Sequence, residues 1–337
     1  MRAIVIRRFG PPEVMRLEQA ADPEPGPDDV LVEVHAVSVN RTLDLAVRAG
    51  TYARLPSLPH VLGVDPSGKI VATGRAVTER RVGQPVVARP ILGMASRGHP
   101  LLLGLDAWGG YAQYVKLPAA ATRVMPEGLA FSVATVISRH APLAFAQLRD
   151  KGQLQHNQWV LILGAAGGLG SAAVQVAKYL GGLVIAGAGS DERVDAAMEL
   201  GADAGVNYRE RELNAEVLRI TKGAGVSLVL DNMGDPELFP QALACLAPGG
   251  RLVTAGAHAG GKVVIDLNRL YQRQLAIVGA IVDHPDDLDA SLRMAAEGRF
   301  RAVIDRVLPL SEAVAAHEMV ERRSPLGKVI LDPTAKP

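Results

Sequence analysis

The sequence has little of several things. It has one cysteine in 337 residues, Cys245, and no block of five like charges. No apolar run approaches the length that spans a bilayer. A single cysteine excludes an internal disulfide and any cysteine-based zinc site. Cys245 lies in "QALACLAPGG", on an apolar helical face, and reads as buried filler rather than as a nucleophile. A net charge of +1 argues against nucleic acid and against an anionic membrane surface as partners. The basic pairs Arg7–Arg8, Arg80–Arg81 and Arg322–Arg323 read as solvated surface. The opening "MRAIVIRRFG" holds a four-residue apolar run, too short for a signal-peptide core, so the expected location is cytoplasmic.

What is present belongs to a globular protein, with 48% hydrophobic and 21% charged residues over a length that suggests two domains. Residues 1–125 are rich in Val, Pro and Gly, and "DDVLVEVHAVSVN", "SGKIVATGRAV" and "GQPVVARPI" read as short strands between turns. From about residue 126 to 299 the texture changes. "WVLILG", "LVIAGAG", "AGVNY", "SLVLDNMG" and "RLVTAGA" are unbroken apolar strands, and amphipathic helical stretches alternate with them. That alternation means a parallel sheet covered on both faces. A further helix, two strand-like segments and a helix "SEAVAAHEMVERR" close the chain.

The most informative segment is "WVLILGAAGGLGSAAVQVAKYLGG". A buried strand runs into Gly164-Ala165-Ala166-Gly167-Gly168-Leu169-Gly170 and a helix follows at once. Gly167 and Gly168 let a pyrophosphate approach the backbone, Gly170 lets the helix pack closely, and the helix N-terminus offers free N–H groups to phosphate. With strand, turn and helix in that order the pattern marks a dinucleotide site. The second strand ends in Gly187-Ala188-Gly189-Ser190, with no carboxylate for a ribose 2′-hydroxyl; Asp191 reads as the start of the next helix. Small residues leave room for a 2′-phosphate, Ser190 can donate to it, Arg193 can pair with it or simply face solvent, and Tyr208 can flank it. The expected cofactor is NADPH. Asn232 and Gly256 stand at later strand ends, where ligands bind in open α/β sheets.

With these residues in hand, the chain resembles the medium-chain dehydrogenase/reductase superfamily, and within it the zinc-free quinone oxidoreductase and enoyl reductase branch. The resemblance runs through "SVNRTLDLAVRAGTY", "LPHVLGVDPSGKIVATG", "GGYAQYV", "GAAGGLGSAAVQVAK", "LVLDNMGDPELF", "LAPGGRLVTAGA", "LYQRQLAIVGA" and "GKVIL". It implies an α/β fold: a Rossmann doubly wound parallel sheet domain at 126–299, plus a GroES-like β-rich catalytic domain at 1–125 completed by about 300–337. It also implies a homodimer, backbone contact of Val278 and Gly279 with the nicotinamide amide, and a cleft position for Lys328.

Zinc-dependent relatives carry a Gly-His-Glu where this chain has Gly63-Val64-Asp65, and cysteines at positions that fall near Asn40 or Arg41 and near Arg139. No metal is expected, since these are not zinc ligands and His35, His60 and His140 are the only histidines in suitable regions. His60 reads as a satisfied structural histidine. Without a Lewis acid a simple ketone is a poor hydride acceptor, whereas a quinone or an α,β-unsaturated carbonyl delocalises the charge. The resemblance makes Asn40 and Tyr52 the first catalytic candidates. Tyr52 can hand a proton to the product or only fill a loop, and Asn40 to Asp44 is one residue longer than the family spacing. Arg139 and His140 appear where relatives have neither; Arg139 can bind an anionic or carbonyl oxygen and His140 can donate a proton, or both can pad a wall. The leading expectation is an NADPH-dependent quinone or enone reductase acting on a small molecule. Its alternatives are a zinc-free carbonyl or alcohol dehydrogenase using Arg139 and His140, and a non-catalytic NADPH-binding protein.

Overall fold

A computed structural model describes every residue except Arg97, His258, Lys336 and Pro337. It divides into two compact units, Met1–Arg139 with Leu288–Pro337, and His140–Asp287.

The first unit opens with β1 (Arg2–Ile6), β2 (Met15–Gln19) and β3 (Asp29–Ser38). In β3 the buried Val30, Val32 and Val34 alternate with half-exposed residues, which is the pattern of a strand with one face on a core. A turn of π-helix over Arg41–Leu45 leads into the short α1 (Ala46–Ala49). The π-turn accommodates the extra residue between Asn40 and Asp44, as such one-residue insertions commonly do. Then come β4 (His60–Val61), β5 (Ser67–Thr73), β6 (Pro85–Ala88), the hairpin β7 (Ile91–Met94) and β8 (Pro100–Leu102), β9 (Tyr114–Pro118) and β10 (Thr122–Val124). β3 pairs antiparallel with β5 and β9, opposing Val32 to Ile70 and to Val115. The helix α2 (Phe131–Phe145) follows, with Pro142 inside it, and the boundary between the units falls within this helix. Nothing in the periodicity of "SRHAPLAFAQL" announces it, because a proline removes a helical hydrogen bond and argues for a break.

The second unit alternates strictly: β11 (Trp159–Leu163), α3 (Gly168–Tyr179), β12 (Leu183–Ala188), α4 (Asp191–Met198), β13 (Ala204–Asn207), α5 (Leu213–Ile220), β14 (Val226–Asp231), α6 (Leu238–Ala244), β15 (Leu246–Thr254), α7 (Leu267–Gln272) and β16 (Ala276–Gly279). The six strands lie parallel in the order β13-β12-β11-β14-β15-β16. This is a doubly wound sheet, which binds ligands outside the carboxyl ends of its strands. Val160 to Leu163 of β11 are at most 1% exposed, as a strand covered on both faces must be. Cys245 lies just past the end of α6 rather than within it, fully buried, and burial pushes its thiol up to about 12.

The chain then passes through α8 (Pro285–Ala296) to β17 (Ile304–Pro309), α9 (Ala313–Glu321) and β18 (Lys328–Asp332). β18 adds antiparallel to β3, opposing Leu331 to Val37, and β17 adds parallel to β18, so both ends of the chain build one sheet and one core.

Candidate functional site

In the second unit, β11 turns at Gly164, whose φ of +67° favours glycine, and α3 starts at Gly168. A Cβ on Gly170 would stand 2.1 Å from the Gly164 carbonyl oxygen and 2.8 Å from Ala165 Cα, so only glycine lets α3 lie this close to the turn. Gly167 is the N-cap and supplies no side-chain cap, leaving the first N–H groups of the helix to a ligand. Ala166, Gly167, Gly168, Leu169 and Gly170 thus form a cradle that fits a dinucleotide pyrophosphate. His140 borders it: a Cβ on Gly168 would lie 2.6 Å from His140 Nε2.

At the end of β12, Gly189 has the side chains of Tyr208 and Arg209 beside it, with Tyr208 Oη and Arg209 Nε each 3.3 Å from where its Cβ would be. Ser190 is the N-cap of α4 but makes no capping hydrogen bond with its side chain, so its hydroxyl stays available. Asp191 begins α4, and its Oδ1 accepts a hydrogen bond from Asn207 Nδ2 at 3.0 Å. Arg193 stands half-buried in the first turn of α4. Arg209 escapes a reading that looks for the 2′-phosphate partner at the end of β12; a basic residue directly after the third strand is the signal that could have found it.

At the neighbouring strand ends, Asp231 holds the turn after β14 by accepting from the Met233 and Gly234 N–H groups. Asn232 Oδ1 accepts from Gln147 Nε2 at 2.8 Å, while Asn232 Nδ2 is buried with no partner in the unit. An orphaned donor at the end of β14 suits a bound nucleotide. Gln147 carries no sequence signal. Gly256 follows β15, and in β16 Val278 opposes Val253 while Gly279 faces open space.

In the first unit, Asn40 is 2% exposed and both ends of its amide are occupied. Its Nδ2 donates to Ser38 Oγ at 3.1 Å and Asp65 Oδ2 at 3.0 Å, and its Oδ1 accepts from Lys328 Nζ at 2.7 Å. Lys328 also donates to the Val39 carbonyl at 3.1 Å. Burial pulls its pKa down to about 8, with the nearby Arg139 charge lowering it further against Asp65 and Asp44. Asp44 is fully buried and accepts from the N–H groups of Asn40 and Gly63. Burial, helped by the Asp65 charge, pushes its carboxyl up to about 6. Buried Tyr111 has its Oη 3.1 Å from His317 Nε2. Burial lowers His317 to about 3, so that ring is neutral. Tyr52 is half-buried against the core, and its hydroxyl has no partner among the described residues. His60 is buried, as a structural histidine is, with burial lowering its pKa and a backbone hydrogen bond at Gly104 acting against that, while its Nε2 has no hydrogen bond among the described residues.

The donor set does not suit zinc. Among the described residues, no group of three or more His, Cys, Asp or Glu could hold a metal ion. Val64 is a buried apolar residue and the Asn40 amide is fully spent. No helix among the described residues is long and apolar enough to cross a membrane.

Comparison with known proteins adds to this geometry. The family described as Zinc-binding dehydrogenase matches residues 168–297, and the one described as Alcohol dehydrogenase GroES-like domain matches residues 26–127. The chain is similar to an NAD-dependent alcohol dehydrogenase of Sulfolobus acidocaldarius, 32% identical over 99% of this chain and 100% of that one. It is similar to a quinone oxidoreductase of Sus scrofa, 30% identical over 98% of this chain and 97% of that one. Among solved structures, an NAD-dependent alcohol dehydrogenase superposes with a TM-score of 0.93 at 36% identity, covering 98% of this chain and 99% of that one.

Proposed function

This chain belongs to the medium-chain dehydrogenase/reductase superfamily, and from that premise we propose that it delivers hydride from NADPH, without a metal ion, to a quinone or an α,β-unsaturated carbonyl compound. Membership makes it a nicotinamide-dependent oxidoreductase. The finer reading rests above all on the residues at the zinc-ligand positions. By the resemblance those positions fall near Asn40 or Arg41, at Val64 and near Arg139, and the buried carboxylates of Asp44 and Asp65 spend their oxygens on Ser38, Asn40 and Gly63. A conjugated acceptor needs least from a Lewis acid, since its own π-system spreads the arriving charge.

When bound, the nicotinamide supplies the hydride. The chain's residues would do the rest. The turn Gly167–Gly170 holds the pyrophosphate. Ser190, Tyr208 and Arg209, in place of a carboxylate, receive the 2′-phosphate that distinguishes NADPH. The free hydroxyl of Tyr52 is the group we assign to the proton that follows hydride onto the product.

The test is the rate of NADPH oxidation with a quinone, an enone, an aldehyde and no acceptor, with chelator present throughout. Turnover with quinone or enone is the expected result. Turnover with the aldehyde alone would replace the reading with a zinc-free carbonyl reductase built on Arg139 or His140, which the two alcohol dehydrogenases among the relatives favour. Thermal protection by NADPH without turnover would leave a nucleotide-binding protein.

We propose a homodimer as well. β16 is the outer strand of its sheet, and Val264, Leu267, Tyr271, Ile281 and Val282 around it are exposed apolar side chains. An edge of this kind invites pairing with a second copy. Sedimentation should give twice 35.5 kDa.

A further inference from the structure

We infer that Arg139 anchors a carboxylate of the substrate, so that the conjugated carbonyl compounds this protein takes are themselves anionic. The carbonyl part of that statement rests on the hydride-transfer reading above; the carboxylate part rests on the charges of the first unit.

Every acid beside the Asn40 cluster is already in use. Asp65 Oδ1 accepts from the Ser38 N–H at 2.8 Å, and its Oδ2 accepts from Ser38 Oγ at 2.5 Å and Asn40 Nδ2 at 3.0 Å. Asp44 Oδ1 accepts from the Gly63 N–H at 3.0 Å and its Oδ2 from the Asn40 N–H at 2.9 Å. Lys328 is satisfied through Val39 and Asn40. Arg139 is the member left over. Its Nε is buried with no hydrogen-bond partner, and the guanidinium forms no ion pair among the described residues. Its electrostatic neighbour is another cation, Lys328.

A half-buried guanidinium next to an ammonium, with no counter-ion, is costly to keep. Its planar fork of N–H donors matches the two oxygens of a carboxylate, which a single carbonyl oxygen does not fill. A neutral quinone would leave the charge uncompensated; an acid would settle it.

The experiment uses two matched pairs and the full chain. For binding, 4-oxo-4-phenylbutanoate and its methyl ester, which are unreactive, are titrated by calorimetry with and without saturating NADP⁺. For turnover, the corresponding 2-enoate and its methyl ester are reduced with NADPH. In the wild type the acid should bind about 10- to 100-fold more tightly than the ester, the range for a hydrogen bond to a charged group. Arg139→Gln should bring that ratio close to one, and Arg139→Lys should restore part of it. Because Arg139 has no partner to lose, Arg139→Gln should melt at or above the wild-type temperature. An acid-to-ester ratio near one in the wild type, or one unchanged in Arg139→Gln, overturns the inference. Equal losses for acid and ester would mean that Arg139 meets the carbonyl oxygen, and a loss confined to NADPH affinity would assign it to the nucleotide; either outcome also overturns it. If neither enoate nor a quinone consumes NADPH, it is the hydride-transfer reading that fails, and the calorimetric ratio still decides the role of Arg139.

Discussion

Replacing Arg209 by Ala and Ser190 by Asp should turn the cofactor preference from NADPH toward NADH, and the size of the effect follows from the end of β12. Arg209 Nε and Tyr208 Oη both lie 3.3 Å from the position a Gly189 Cβ would take, so a phosphate at that strand end is within reach of both. A hydrogen bond to a charged group contributes about 1.5–3 kcal/mol, and because Arg209 is exposed the lower end applies: roughly tenfold in NADPH affinity. A carboxylate at position 190, about 4 Å from a phosphate carrying nearly two charges in water-like surroundings, adds about 2 kcal/mol of repulsion. The same carboxylate gains about 1 kcal/mol with NADH by accepting from the ribose 2′-hydroxyl. Together these shift the NADPH/NADH ratio of kcat/KM by roughly a thousandfold. The assay measures both cofactors with one acceptor at low and high salt, alongside fluorescence titration of nucleotide binding. The wild-type preference should narrow as salt rises, since exposed charges are screened. A ratio unchanged in the double variant, or equal weakening of both cofactors, would refute the assignment.

Gly170→Ala places a methyl 2.1 Å from the Gly164 carbonyl oxygen; it should abolish thermal protection by NADPH and lower stability by about 1–3 kcal/mol, and normal protection would contradict the close packing of α3 on the turn. Arg48 is 2% exposed and bonded to the half-exposed Glu321, so Glu321→Gln should lose about 2–4 kcal/mol in urea denaturation. Adding Arg48→Met should recover most of that loss, and a double variant as weak as the single would show that the buried charge is not its cause. Asp44 is held near 6 in the fold against 3.8 when free, so the native state binds its proton more tightly than the unfolded chain does. Stability should therefore fall as pH rises from about 4 to 6, by about 3 kcal/mol in all, and Asp44→Asn should flatten that segment of the urea-midpoint profile; equal slopes in both proteins would refute it. Purified protein should hold well under one zinc per chain, and stoichiometric zinc in metal analysis would overturn metal-independence.

The parts of the molecule that repeat a local pattern are legible from sequence. Each strand of the second unit is an unbroken apolar run because both its faces are covered, and the turn before α3 is written in adjacent residues whose spacing is the geometry itself. What escapes is set by contacts across the chain. Arg209 reaches Gly189 from the end of the next strand, and no local spacing links residues 20 apart in separate elements. α2 hides behind Pro142, a residue that locally argues for a break. The extra residue between Asn40 and Asp44 is visible as a departure, but only the fold shows that a π-turn absorbs it and keeps Asp44 pointing at the Gly63 N–H.

The role of Asn40 shows most clearly what a motif leaves out. The motif marks it as a residue facing ligand, yet besides the neighbouring Ser38 its amide is occupied by charges 25 and 288 positions away, Asp65 and Lys328. A neutral amide is the side chain that can stand between those two charges. Its oxygen accepts from the ammonium while its nitrogen donates to the carboxylate, so one dipole is aligned with the field on both sides. A carboxylate there would lose the bond to Asp65, and a cation would repel Lys328. With Asp44 and Asp65 buried and no metal donor set among the described residues, Lys328 is the cation hydrogen-bonded into this cluster. Asn40 ties Lys328 to Asp65 in this way, and the Arg139 Nε takes no part in the network.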